Sequence, residues 1–290
     1  MKMNDLAPII GRSPGSPDPE GRNARLAWHD WLASPAGRYV LQWEQLQIDA
    51  LVADIFGYHA LQCGMPELGA LRENRIRHRF LALQPGDPPA DPAGGGDWAA
   101  PASLWLDRYE ALPFASQSLD LVVLPHVLEF ADHPHEVLRE VDRVLRPEGR
   151  LVVSGFNPVS LWGARHLTGR ALGRPWLPGD AQPLGLPRMR DWLKLLGFEA
   201  ERGRFGCYRP PFRSERWLAR SGFMEAAGDR WWPICGAAYM ICAVKRVRAM
   251  RLVGLAPRFS PGRSRRATSA AGFPCQLDRA VGESPAIDRD

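Results

Sequence analysis

The chain is poor in cysteine: Cys63, Cys207, Cys235, Cys242 and Cys275 are scattered, and none stands in CxxC or Cys/His ligand spacing. This argues against a disulfide scaffold or a zinc site and in favour of reduced thiols. No apolar run is long enough to span a bilayer. The opening stretch MKMNDLAPIIGRSPGSPDPEGRN has no hydrophobic signal core. Together these absences point to a cytoplasmic protein without a membrane span. No GxGxxG follows an apolar run with an acid further on, which argues against a dinucleotide oxidoreductase. No internal repeat is visible.

What is present is unevenly distributed. The net charge is +5, yet from Lys245 to the end ten Lys/Arg stand against four Asp/Glu. The basicity therefore belongs to the tail, and the rest of the chain is close to neutral. Such a tail either binds nucleic acid or an acidic membrane surface, or is a solvated extension; no aromatic-basic platform accompanies it. Residues 1–22 and 247–290 are rich in Pro, Gly, Ser or Arg and read as disordered.

Residues 23–57 read as two helices, Ala24–Ala33 and Arg38–Ile55, separated by Ser34-Pro35-Ala36-Gly37. The second carries Val40, Leu41, Trp43, Leu46, Ile48, Leu51 and Val52 at helical spacing. Apolar runs at Tyr58–Cys63, His78–Leu83 and Ala102–Leu106 read as three strands. A short helix is expected to open over Leu68–Asn74, and Pro85–Pro101 reads as a surface loop.

The most informative stretch runs from Leu104 to Pro158. Leu119–Leu124 is almost continuously apolar, as expected of a parallel strand buried on both faces. Asp132 is placed to cap a helix whose first turn holds Pro134. Val137, Leu138, Val141, Val144 and Leu145 form one stripe. Pro147-Glu148-Gly149 ends it, and Leu151–Ser154 is the next strand. A strand–helix–strand unit of this length implies a parallel pair with a right-handed crossover. Phe156–Leu186 reads as a Gly/Pro-rich insertion or lid. Arg188–Leu196 and Trp217–Ala227 read as helices, and the regions of Phe198–Arg202 and Ala237–Val244 as final strands.

Four motifs in this stretch stand in order: Glu110-Ala-Leu-Pro-Phe114, Leu119–Leu124, His126-Val-Leu-Glu129 and Leu145-Arg-Pro-Glu-Gly-Arg150. Over about 55 residues they resemble the second half of a class I S-adenosylmethionine-dependent methyltransferase of the methyltransferase type 11 kind. The SGFNP continuation and the GAAYMICAVKR strand resemble a bacterial subgroup with a degenerate glycine-rich loop. The resemblance implies an α/β fold. Its Rossmann-like sheet would have seven strands, five parallel plus a C-terminal antiparallel hairpin, with helices on both faces. The domain would span 58–246. The cofactor, S-adenosyl-L-methionine, would lie across the C-terminal ends of the first four strands.

Carried over residue by residue, the first loop places Gln62 where the family has an acid, Gly64 at the first glycine and Met65 beside it. Pro66 and Leu68 occupy the next two glycine places. Gln84 ends the second strand where the family has a ribose-binding acid, and Asp87 is the nearest carboxylate. Asp107, Arg108 and Tyr109 fill the third-strand loop near adenine, with Tyr109 either stacking on the base or packing. His126 lines the cleft after the fourth strand. His126 and Asn157 are the candidate catalytic residues, one as a base and one to orient the acceptor. Each has a plainer role as well, at a strand end and in the turn before Pro158. The expected activity is methyl transfer to a small-molecule acceptor. The alternative is an inactive member of the fold that acts as a binding or regulatory module, in which case no cofactor is needed.

Overall fold

The computed structural model describes residues 19–89, 101–178 and 181–246. Two helices lead, α1 (Pro19–Leu32) and α2 (Pro35–Val52). Ser34 starts α2: its hydroxyl accepts from the Gly37 amide at 3.1 Å, and Pro35 follows where a missing N–H costs nothing. The α1 helix opens at Pro19, inside the stretch expected to be disordered. The expected basic tail beyond residue 246, residues 1–18 and most of the Pro85–Pro101 loop lie outside the described residues.

The sheet has seven strands: β1 (His59–Cys63), β2 (His78–Leu83), β3 (Ala102–Trp105), β4 (Leu119–Pro125), β5 (Leu145–Phe156), β6 (Phe198–Gly206) and β7 (Ala238–Lys245). Their order is β3-β2-β1-β4-β5-β7-β6. The first five are parallel, and β7 runs antiparallel to both β5 and β6. This is the Rossmann-like methyltransferase sheet that the resemblance implied. The order reverses between β1 and β4, the kind of switch point at which open α/β sheets bind ligands.

Helices cover both faces. One face carries α1, α2 and α5 (Leu161–Ala171), packed through Val40, Ile48, Phe156 and Trp162. The other carries α4 (Pro134–Val144) and α6 (Leu186–Leu195), packed through Leu138, Val141, Met189 and Leu193. The short α3 (Val127–Phe130) follows β4. Between β6 and β7 stand α7 (Glu215–Arg220), α8 (Phe223–Trp231) and a 3-10 turn, Pro233–Cys235.

Several expectations need correction. His133, not Asp132, precedes α4, and it makes no capping bond. The β5 strand starts at Leu145, where α4 ends and the backbone turns extended, so it is longer than Leu151–Ser154. The 156–186 segment contains a true helix, α5, capped by the Ser160 hydroxyl accepting from the Gly163 amide at 3.0 Å. No helix forms over Leu68–Asn74. There the side-chain amides of Gln45 and Gln62 take up backbone groups of Leu68, Gly69 and Ala70, which competes with helix formation. Among the described residues no helix is long and apolar enough to cross a membrane, and four cysteines are free thiols.

At Gly206, where β6 leaves the sheet, a Cβ would stand 2.0 Å from the Trp43 indole of α2. Gly206→Ala is expected to overpack this junction and cost about 1–3 kcal/mol, read as a lowered urea midpoint at unchanged slope. A midpoint equal to the parent's would show that Trp43 is free to move.

Candidate functional site

The loop after β1 is built around one side chain. Gln62, 3% exposed, donates through Nε2 to the carbonyls of Gly64 (3.1 Å), Met65 (2.9 Å) and Leu68 (2.8 Å). Its Oε1 accepts from the Ala70 amide at 3.1 Å. A carboxylate here would only accept, so the amide explains why Gln rather than an acid closes this loop. Gly64 and Met65 both have positive φ, +68° and +51°. Gly64 donates its N–H to the Ala82 carbonyl at 2.7 Å.

The ends of β2 and β3 meet beside this loop. Gln84 is buried; its amide N–H reaches Asp87 Oδ2 at 2.8 Å, and its Nε2 donates to the Asp107 carbonyl at 2.9 Å. Among the described residues the buried Gln84 Oε1 finds no donor. Asp107 and Arg108 are exposed, whereas Tyr109 is buried. The Tyr109 hydroxyl donates to the Ala82 carbonyl at 3.2 Å and would lie 3.1 Å from a Cβ at position 64. Burial pushes the Tyr109 phenol well above its usual range.

The α1 helix covers this end of the sheet. His29 sits between Glu67 (Nδ1 to Oε1, 2.5 Å) and Asp87 (Nε2 to Oδ1, 3.2 Å), and Arg25 approaches Asp87 at 3.8 Å. A cavity of about 410 Å³ opens here, lined by Arg22, His29 and Asp30 of α1, by Gly86 and Asp87, and by Trp105. Burial lowers the His29 pKa, but its bonds to Asp87 and Glu67 outweigh that and raise it to about 9. The charged latch is therefore fully present below the unfolded value of about 6.5, and it weakens as pH rises through about 9. His29→Ala is expected to speed amide exchange across residues 22–32 several-fold at neutral pH, while β4 and β5 stay protected. Unchanged exchange in α1 would show that the latch does not hold it.

The end of β4 is sealed. His126 is left-handed, with φ at 53°. Its Nδ1 meets Glu129 Oε2 at 2.7 Å and its Nε2 meets Glu44 Oε1 at 2.9 Å. All three side chains are buried, and Glu129 Oε1 also accepts from the Phe156 amide. Trp28 and Phe156 flank the imidazole, with ring centroids at 5.1 Å and 4.5 Å. Burial pulls the His126 pKa down; the charges of Glu44 and Glu129 and their hydrogen bonds push it further up, to about 10. At neutral pH His126 is therefore a clamped cation with no lone pair free to take a proton. Asn157 is likewise engaged. Its Nδ2 donates to the carbonyls of Ile234 (2.8 Å) and Gly236 (3.0 Å), and its Oδ1 accepts from the Val159 amide at 3.1 Å.

Fold topology thus brings Gln62, Gly64, Met65, Gln84 and the 107–109 loop to one edge of the sheet. His126 lies at the end of β4, beneath α1 and α2. Glu44, Glu129 and His29 are the residues that reasoning from sequence missed. Glu44 had left a signal: it stands four residues after Val40 and four before Ile48, a carboxylate on an apolar stripe.

Residues 99–153 match the methyltransferase-domain family model. The chain is 35% identical over 159 residues to the protein YafS of Escherichia coli, covering 55% of this chain and 62% of that one. It is 35% identical over 63 residues to malonyl-[acyl-carrier protein] O-methyltransferase 1 of Coxiella burnetii, covering 22% of each chain. Among solved structures, a methyltransferase of Haloferax volcanii, solved with the Trm112 activator, superposes with a TM-score of 0.54 at 16% identity. The match covers 78% of this chain and 99% of that one. An S-adenosylmethionine-dependent methyltransferase of Thermotoga maritima superposes with a TM-score of 0.50 at 16% identity, covering 76% and 94%. At such identities the superpositions speak for the fold alone.

Proposed function

We propose that this chain belongs to the class I S-adenosylmethionine-dependent methyltransferase family, binds S-adenosylmethionine at the C-terminal ends of β1 to β4 and methylates a small-molecule acceptor. The observation that supports it is the cavity of about 410 Å³ between α1 and the ends of β2 and β3. That volume suits a nucleoside. Of the residues that line it, Arg22, Asp30 and Asp87 offer polar groups and Trp105 an exposed ring, whereas the buried Gln84 Oε1 and the exposed Asp107 and Arg108 lie outside that lining. The methionine end would be held at Gly64 and Met65, whose left-handed backbone forms the turn after β1. Tyr109 covers that edge in this structure, so binding requires its ring to yield.

The cofactor supplies the activated methyl group. In this reading the protein's own contribution is mainly alignment, which suffices for in-line displacement on an acceptor that already presents a lone pair. His126, clamped as a cation, positions α2 against β4 through Glu44, and Asn157 fixes the loop after β5.

A second reading, a methyltransferase-fold protein that binds or regulates without transferring, is favoured by the double clamp on His126. Calorimetric titration with S-adenosylmethionine and S-adenosylhomocysteine separates the two. Heat with both ligands supports the first reading. Silence with both at about millimolar ligand overturns it and leaves the second.

A further inference from the structure

The described residues expose fifteen large apolar side chains, and nine of them fall within residues 159–172 and 217–234. Trp217, Phe223, Trp231, Trp232 and Ile234 are 55–74% exposed, on or between α7, α8 and the Pro233–Cys235 turn. Val159, Leu161, Leu167 and Leu172 are 56–80% exposed, on α5 and its flanks. A monomeric soluble surface rarely gathers so much apolar area in one region.

These segments are tied together. Asn157 donates to the Ile234 carbonyl at 2.8 Å, joining the start of α5 to the 3-10 turn. Trp162 Nε1 donates to the Arg209 carbonyl at 2.7 Å, and Arg165 to that of Pro211 at 2.5 Å. Arg209 reaches the Leu218 carbonyl at 3.4 Å, and Phe212 meets Trp217 at 6.0 Å. The Tyr208 hydroxyl donates to the Pro233 carbonyl at 2.8 Å. The segments that carry these side chains are therefore held to one another beyond the C-terminal ends of β5 and β6.

Its charge is one-sided. Residues 157–178 and 207–236 hold eight arginines against three acidic residues. One of the three, Glu225, is engaged inward by Tyr39 and by the Cys207 and Tyr208 amides. Arg220 lies over the Trp217 ring at 5.4 Å and Arg230 over Trp231 at 6.0 Å, which places cations beside exposed indoles. Exposed aliphatic side chains call for an apolar phase, indoles favour the boundary of one, and arginines favour anionic headgroups.

We propose that this aromatic and basic surface docks the protein peripherally on an anionic phospholipid bilayer. The proposal concerns where the protein sits and does not depend on methyl transfer.

The test is co-sedimentation of the full chain with vesicles of phosphatidylcholine plus phosphatidylglycerol, against phosphatidylcholine alone. Binding to the mixed vesicles, reduced by salt, is expected. Arg213→Gln/Arg216→Gln/Arg220→Gln is expected to lower the partition coefficient at least about tenfold. Trp217→Ser/Trp231→Ser/Trp232→Ser should lower it by about the same factor. All six positions are exposed, so parent-like thermal unfolding of both variants verifies that they fold. A blue shift of tryptophan emission on vesicle addition, lost in the Trp variant, is the second readout. Failure to bind mixed vesicles at low salt overturns the proposal. So does equal binding by parent and variants, which would place the attachment elsewhere. A parent dimer dissociated by the Trp substitutions would also overturn it, by making the region a self-interface.

Discussion

Replacing Glu44 by alanine is expected to destabilise the protein by roughly 3–5 kcal/mol, the range for removing one partner of a buried ion pair. Glu44 and His126 are fully buried, and the Glu44–His126–Glu129 contacts bridge α2, the end of β4 and α3. Truncation would leave His126 Nε2 without an acceptor in a dry site between Trp28 and Phe156. A loss of that size is a large part of a typical domain's margin. Glu44→Gln keeps an oxygen that can accept from Nε2 but removes the charge, so its cost should be clearly smaller. The pH dependence carries the same signature. His126 is raised to about 10 when folded, so its contribution is fully present below about 6.5 and is lost as pH rises through 10. Urea unfolding at pH 7 and at a pH near 10 should show parent stability falling, and falling less in Glu44→Gln. Parent-like stability of Glu44→Ala would mean that the clamp contributes nothing.

Gly64→Asp is expected to weaken S-adenosylmethionine binding about 100-fold or more. The added Cβ would stand 3.1 Å from the Tyr109 hydroxyl, and the new carboxylate would face the region assigned to the methionine carboxylate. Like charges about 4 Å apart repel by several kcal/mol near a protein surface. The fold should survive, because Asp is among the residues that tolerate the left-handed backbone found there. Calorimetry of the variant, with circular dichroism as the control, reads the effect. Retained affinity would move the cofactor away from the β1 loop.

The strands were legible because a sheet covered by helices on both faces demands nearly unbroken apolar runs. Leu119–Leu124 is such a run, and Phe80–Leu83 is a shorter one behind His78 and Arg79. The α5 helix was hidden by Gly163 and Gly169 and by the proline-rich flanks. Only Ser160 as a cap, with Trp162 and His166 on one buried face, betrays it. The site was less legible than the fold. Gln62 stands where the family has an acid, and its use of three carbonyls appears only once the loop is folded. His126 looked like a base because its partner Glu44 lies 82 residues away, and sequence spacing does not report such a distance. A carboxylate on the buried stripe of α2 was the one local hint. Such a group needs a cation, and a His at a strand end is a ready one.

The cofactor is expected to occupy the sheet edge formed by the β1 loop, the ends of β2 and β3 and the cover of α1. Amide hydrogen exchange with and without saturating S-adenosylhomocysteine tests it most directly. Peptides covering residues 62–68, 84–87 and 107–109 are expected to exchange more slowly with ligand bound, and those at the N-terminal ends of the strands, around His59 and Asp120, to be unaffected. Protection confined to other segments, or none at any peptide under saturation, would contradict the account.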